Sequence, residues 1–259
     1  MSYTDSLTQE QKKNIAIIKD EALKSGITNP YAIAGMLAIV SKESSFIPKS
    51  ENLNYSASRL QQVFGLSSAR ANEIAGKPEA IGNAVYGGQS GNSSTEGYKY
   101  RGRGFNQLTF KGNYDAYGKL IGEDLVSNPD KVNNPSTAAK VLIAYNKKGI
   151  TSLKSQGKLA SYNATNINDF KNLEDATLAF YHATAGTGKS VDYVKGLKSK
   201  DSLGGMTKAL QRVQDLFNYV GTSLETVKKN PIKTILVLVA LGLSIYILSK
   251  NLGKGKSKL

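Results

Sequence analysis

Apolar residues recur at helical spacing along most of the chain. Ile15, Ile18 and Ala22 follow a capping box formed by Thr8 and Gln11 and stop before Gly26, which predicts a first helix. Asn29-Pro30 supplies a cap and a first-turn proline for a second helix over 31–43. Its alanines and isoleucines leave it apolar on most faces, so it belongs at the centre of a core. Three short helices follow, one capped by Ser56 and running through Phe64, one over about 67–75, and one over 78–86. Others are predicted from Thr109 or Phe110, from Asn134-Pro135 to about Asn146, over 173–184 and over 206–219. Strand patterning is confined to 98–101 and 105–108, enough for a small ribbon beside a groove and too little for a sheet. No repeat recurs at a period typical of a solenoid.

The C-terminal pattern differs. Residues 234–249 run for sixteen positions without a charge, and 231–249 makes nineteen if Lys233 snorkels at the edge. Lysines flank the segment on both sides, leaving its orientation in a bilayer open. This predicts a helical domain over 1–223, a basic linker over 224–231, a transmembrane helix over 232–249 and a basic tail over 250–259. The alternative is a buried C-terminal helix. Residues 1–11 are polar and contain no apolar run that could act as a signal peptide.

Charge narrows the surroundings. The chain carries 34 Lys and Arg against 20 Asp and Glu, a net charge of +14, which favours polyanions such as nucleic acid, anionic lipid or acidic cell-wall polymers. The absence of cysteine excludes disulfides, thiolate nucleophiles and thiolate-bound metal. A single histidine argues against a catalytic zinc, so neither metal nor cofactor is expected.

Glu43 is the sharpest local anomaly. It lies on the same helical side as Ile33, Met36, Leu37 and Val40, and a desolvated carboxyl there suits a general acid. A last-turn glutamate pointing outward and paired with Lys42 or Lys49 is the alternative. Glu51 opens the polar segment ENLNYS, where a carboxylate stays ionised, giving the asymmetric pair that glycosidic hydrolysis needs. The stretch 87–104 holds six glycines in eighteen residues, which marks a functional loop or small hairpin. Thr109 and Asn113, four apart, would share a helical face and could hold a water or an amide. A single RGRG is weak support for nucleic acid and lacks phosphate-loop spacing. His182 in an apolar helix reads as structural, and Ser44 and Ser45 have no histidine nearby to form a triad.

The blocks KESSF at 42–46, ENLNYSASRL at 51–60, PEAIGNAVYG at 78–87, YRGRGFNQLT at 100–109 and NYDAYGKLIGEDLVSNPD at 113–130 together resemble glycoside hydrolase family 19, and more closely its lysozyme-like bacteriophage endolysins than plant chitinases. That resemblance implies a mainly α, two-lobed lysozyme-like fold with a small β ribbon and a cleft that hydrolyses β-1,4 bonds between amino sugars with inversion. Glu43 matches the family's general acid and Glu51 the base of the phage branch. Thr109 matches the hydroxyl that positions water, and Asn113 the contact to the sugar amide. Gln107, Arg103 and Tyr55 fall where residues brace the cleft. Glu96 is the alternative base, on the plant-type arrangement. Lys42 stands where histidine is common, and Phe105-Asn106 replaces the usual apolar or proline pair.

The expectation that follows is a membrane-anchored peptidoglycan hydrolase of muramidase type, associated with the virion of a membrane-containing phage or with the host inner membrane. Its partners would be peptidoglycan, a lipid membrane and other virion proteins, with no specific nucleic acid. The alternatives are a structural or glycan-binding virion membrane protein that retains the fold, a chitinase, and a lytic transglycosylase.

Overall fold

A computed structural model describes residues 2–185, 188–197 and 206–229. Residues 1–217 and 218–259 form separate units, and of the second only part of one helix is described.

Most helix starts follow from their caps. Thr8 accepts from the Gln11 backbone at the head of α1 (Gln9–Lys24), while the Gln11 side chain returns the bond to Thr8. Asn29 caps α2 (Pro30–Glu43) by accepting from the Ala32 backbone N–H. Ser56, Ser67 and Asn134 cap α3 (Ala57–Phe64), α4 (Ser68–Ile74) and α7 (Pro135–Ser155). Between these lie α5 (Pro78–Tyr86) and α6 (Lys111–Ile121), followed by α8 (Leu173–Ala185), α9 (Val191–Gly196) and α10 (Met206–Lys229).

Helix α2 is buried continuously from Ala32 to Ser41, as its pattern predicts. It packs on α8, and the approach is close: a Cβ placed on Gly35 would lie 2.9 Å from backbone atoms of Ala176 and Thr177. Gly149 of α7 meets α8 from another side, where a Cβ would lie 2.4 Å from the Ala183 carbonyl oxygen. Glycine at these two points lets α8 press against the backbone of both neighbours. The short helices build a smaller core from Leu53, Leu60, Ala71, Ile74 and Ile81. A third cluster, around Tyr100, Tyr114, Tyr117 and Val141, supports the glycine-rich region.

Two expectations are corrected. Among the described residues there is no β ribbon; the expected strands 98–101 and 105–108 do not pair, and an isolated antiparallel bridge links Leu108 to Arg103, which lies between them. The positive φ angles of Gly104 (79°) and Gln107 (52°) fold the chain too tightly for a ladder to extend. Nor is any described helix long and apolar enough to cross a membrane. In α10 Lys208, Arg212 and Asp215 form a polar row beside the apolar stripe of Ala209, Val213 and Leu216, so the helix is apolar on one side only. That helix runs on through Lys229, into the stretch read as a linker, whereas the expected span over 232–249 and the tail over 250–259 lie outside the described residues.

Candidate functional site

Helix α2 carries its apolar face to its last turn, and this delivers Glu43 to the wall of a cavity of about 100 Å³. Met36, Ile39, Val40, Phe105 and Leu142 form the apolar wall, and Asn106, Asn146 and Thr184 contribute polar groups. The side chain of Glu43 is 37% exposed and ion-paired with Lys42, whose ammonium lies 5.6 Å from the Tyr181 ring centre. Glu43 thus faces the cavity yet has a cationic neighbour, combining features of both sequence readings.

Beyond Glu43 the chain turns sharply through Ser45 and Phe46, both at positive φ. It then reaches Glu51, whose backbone N–H donates to the Gly102 carbonyl at 2.8 Å. The Glu51 carboxylate accepts from a single phenol: the Tyr86 hydroxyl lies 2.9 Å from Oε1 and 3.0 Å from Oε2. Burial, reinforced by the charge of Glu51, pushes the Tyr86 phenol well above its ordinary pKa. Gly102 leaves room here: a Cβ at that position would come within 2.9 Å of Gln107 Oε1, the end of a flexible side chain, and 3.5 Å of Glu51 Oε2.

Glu96 has different company. Its carboxylate accepts from the Ser93 backbone N–H at 2.9 Å and from Lys111 Nζ at 2.9 and 3.2 Å. These bonds hold its pKa down to about 2, the Ser93 bond contributing most. A carboxylate so weakly basic is poorly matched to taking a proton near neutral pH.

The remaining expected site residues divide between the loop and the interior. Gln107 donates to the carbonyls of Lys49 at 3.0 Å and Gly104 at 3.1 Å, tying the loop of Glu51 to the RGRG turn. Thr109 precedes α6 instead of lying in it, and its hydroxyl donates to the Gln107 carbonyl at 2.9 Å. Asn113 donates to the Thr109 carbonyl at 2.8 Å and borders a separate cavity of about 450 Å³ with Tyr117, Tyr145 and Lys148. Tyr145 and Thr184 line both cavities. Tyr55 packs edge-on against Phe64 at 5.6 Å. Arg103 is 2% exposed, binding Asp130 at 2.7 Å, the Lys99 carbonyl at 2.8 Å and Tyr114 at 3.0 Å. Its place is under the glycine-rich loop, where it braces that loop from within.

Nothing local in the sequence marks Tyr86 for a role. Its only signal was its position inside the block PEAIGNAVYG, where a tyrosine ending an apolar run reads as core. Among the described residues no group of three or more His, Asp or Glu could hold a metal ion.

Residues 77–148 match the family described as "Chitinase class I", a glycoside hydrolase family 19 profile. The chain is also 38% identical over 129 residues to a "Glycosyl hydrolase family 19 domain-containing protein" of Haemophilus influenzae. That match covers 47% of this chain and 64% of the relative, so the chain spans less than two thirds of that relative's length. Both findings support homology to glycoside hydrolase family 19. The profile match includes Tyr86, Glu96, Arg103, Gln107, Thr109 and Asn113 but ends short of Tyr55, Glu51 and Glu43.

Neither match carries the narrower endolysin branch. The membrane-anchored, virion-associated wall hydrolase is overturned, together with its lipid-membrane, peptidoglycan and virion partners and its placement in a virion or host inner membrane. One match is to a chitinase profile and the other to a bacterial protein, and no described helix suits a bilayer.

Proposed function

We propose that this chain is a glycoside hydrolase that cleaves β-1,4 bonds in polymers of N-acetylated amino sugars by a single inverting displacement. Glu43 gives its proton to the leaving glycosidic oxygen as the bond to the anomeric carbon breaks. Glu51 takes a proton from the water whose oxygen bonds to that carbon from the opposite face. Thr109 and Asn113, linked by their own hydrogen bond, are the groups assigned to the water and the sugar amide.

The observation that carries the reading is the contrast between the carboxylates in a chain homologous to this hydrolase family. Glu43 ends an apolar helix at a cavity, while Glu51 is held in place by a neutral hydroxyl. Muramidase-type specificity is a narrower case of the same chemistry, and the polymer is assigned by comparing rates on chitin oligomers and on purified wall glycan strands.

The test follows product stereochemistry by proton magnetic resonance. The α anomer is expected as the first product, with a loss of ~10²–10⁴-fold in rate for Glu43→Gln and for Glu51→Gln. Glu96→Gln is expected to retain most of the rate. Initial β product, or full activity in Glu43→Gln, overturns the mechanism. Loss of activity in Glu96→Gln with retention in Glu51→Gln moves the base to Glu96.

A further inference from the structure

We propose that Tyr86 is a positioning residue for the general base, its phenol presenting the Glu51 carboxylate to the attacking water as a fixed acceptor. The inference rests on the reading of Glu51 as base.

Three carboxylates of the region have three kinds of partner. Glu43 is paired with the Lys42 ammonium and Glu96 with the Lys111 ammonium, whereas Glu51 is paired with a neutral hydroxyl. A neutral phenol orients a carboxylate without placing a cation beside the oxygens that the water must approach. Among these three, Glu51 therefore has the surroundings that suit a base.

The hydroxyl is itself anchored. Tyr86 ends α5, and its ring meets Phe110 edge-on, with centres 5.6 Å apart and planes at 89°. Its carbonyl accepts from Asn92 Nδ2 at 2.8 Å, and Asn92 Oδ1 accepts from the Lys111 backbone at 2.9 Å. Asn92, 6% exposed, thereby fastens the end of α5 to the start of α6. With the Glu51 backbone held by Gly102, both ends of the glutamate are fixed although it lies in a loop.

The bond lengths of 2.9 and 3.0 Å describe one proton shared between two acceptors. When water approaches one carboxylate oxygen, the phenol can donate wholly to the other without moving its ring. The burial that keeps Tyr86 protonated maintains this donor into alkaline solution.

The experiment compares the full chain with Tyr86→Phe, Glu51→Gln and the double variant, using N-acetylated chitin oligomers between pH 4 and 9. Tyr86→Phe is expected to lower kcat by about ten- to hundredfold with KM little changed. In the Glu51→Gln background the same substitution is expected to have little further effect. An equal fold-loss in both backgrounds, or a native rate and pH profile in Tyr86→Phe while Glu51→Gln is inactive, overturns the positioning role alone. Native activity in Glu51→Gln overturns the base assignment and this inference with it.

A readout independent of the folding of Tyr86→Phe uses tyrosine carrying a ¹³C label at Cζ. In Glu51→Gln the Tyr86 resonance is expected to shift and to titrate at lower pH. An unchanged resonance overturns the contact on which the proposal stands.

Discussion

Ser45 and Phe46 sit at φ 49° and 62°, left-handed angles that cost a non-glycine residue on the order of 1 kcal/mol or more each. Two side chains from α1 reach the strained turn. Gln11 donates to the Ser45 carbonyl at 2.9 Å and buried Asn14 to the Phe46 carbonyl at 2.8 Å, while the Phe46 ring is fully buried. The strain is thus offset by an anchor and two bonds, and its effect is to reverse the chain immediately after Glu43. Asn14→Ala is expected to leave the Phe46 carbonyl without its donor, lowering unfolding free energy by about 1–3 kcal/mol in urea titrations. It should also lower kcat on chitin oligomers, because the turn that aims Glu43 loosens. Unaltered stability would mean that another donor replaces Asn14.

Helix packing around α8 leaves almost no tolerance. Gly35→Ala would gain about 1 kcal/mol in helix propensity, yet its methyl would enter the backbone of Ala176 and Thr177. Overpacking of that kind costs roughly 1–3 kcal/mol, so the net expectation is a lower urea midpoint, and an increase would show that α8 shifts freely. The helix starts were legible in the sequence because caps are local: Thr8 with Gln11, Asn29 with Pro30 and Asn134 with Pro135 each announce a beginning within four residues. The sequence pattern ends α7 about nine residues early, since Asn146 interrupts the apolar periodicity but is buried with its amide donating to the Leu142 carbonyl. Short α9 carried too little pattern to be noticed. The expected ribbon failed because alternation along 98–108 says nothing of the backbone reversal at Gln107. Glu43 stood out as the polar end of an apolar face, whereas Tyr86 acquires its role from a contact spanning 35 residues, which no local pattern records.

At the scale of the whole fold, His182 ties α8 to the segments that precede and follow it in the chain, through Tyr162 and Lys189, and it is the one histidine in the chain. It is fully buried, with Nδ1 2.8 Å from the Tyr162 hydroxyl and Nε2 3.0 Å from the Lys189 carbonyl. A carbonyl only accepts, so Nε2 carries the proton and Nδ1 accepts from Tyr162, an assignment that fixes the neutral tautomer. Burial lowers the His182 pKa below its ordinary 6.5, with Lys158 adding to the shift and the Lys189 carbonyl opposing it. The unfolded chain therefore binds a proton near pH 6.5 that the folded chain does not yet accept. Stability is full above that pH and declines as pH falls through the lower, folded value. The carboxylates act later: Glu96 and Asp169, both held near about 2, lose their contribution only as pH drops below their ordinary values of 4.5 and 3.8. Thermal unfolding followed across pH should accordingly show two separate losses. In His182→Gln, which keeps a neutral hydrogen-bonding side chain, the loss beginning near 6.5 is expected to vanish while the acidic one remains. If the upper loss persists in that variant, the proton uptake belongs to another group and the buried imidazole is not what sets the fold's tolerance of mild acid.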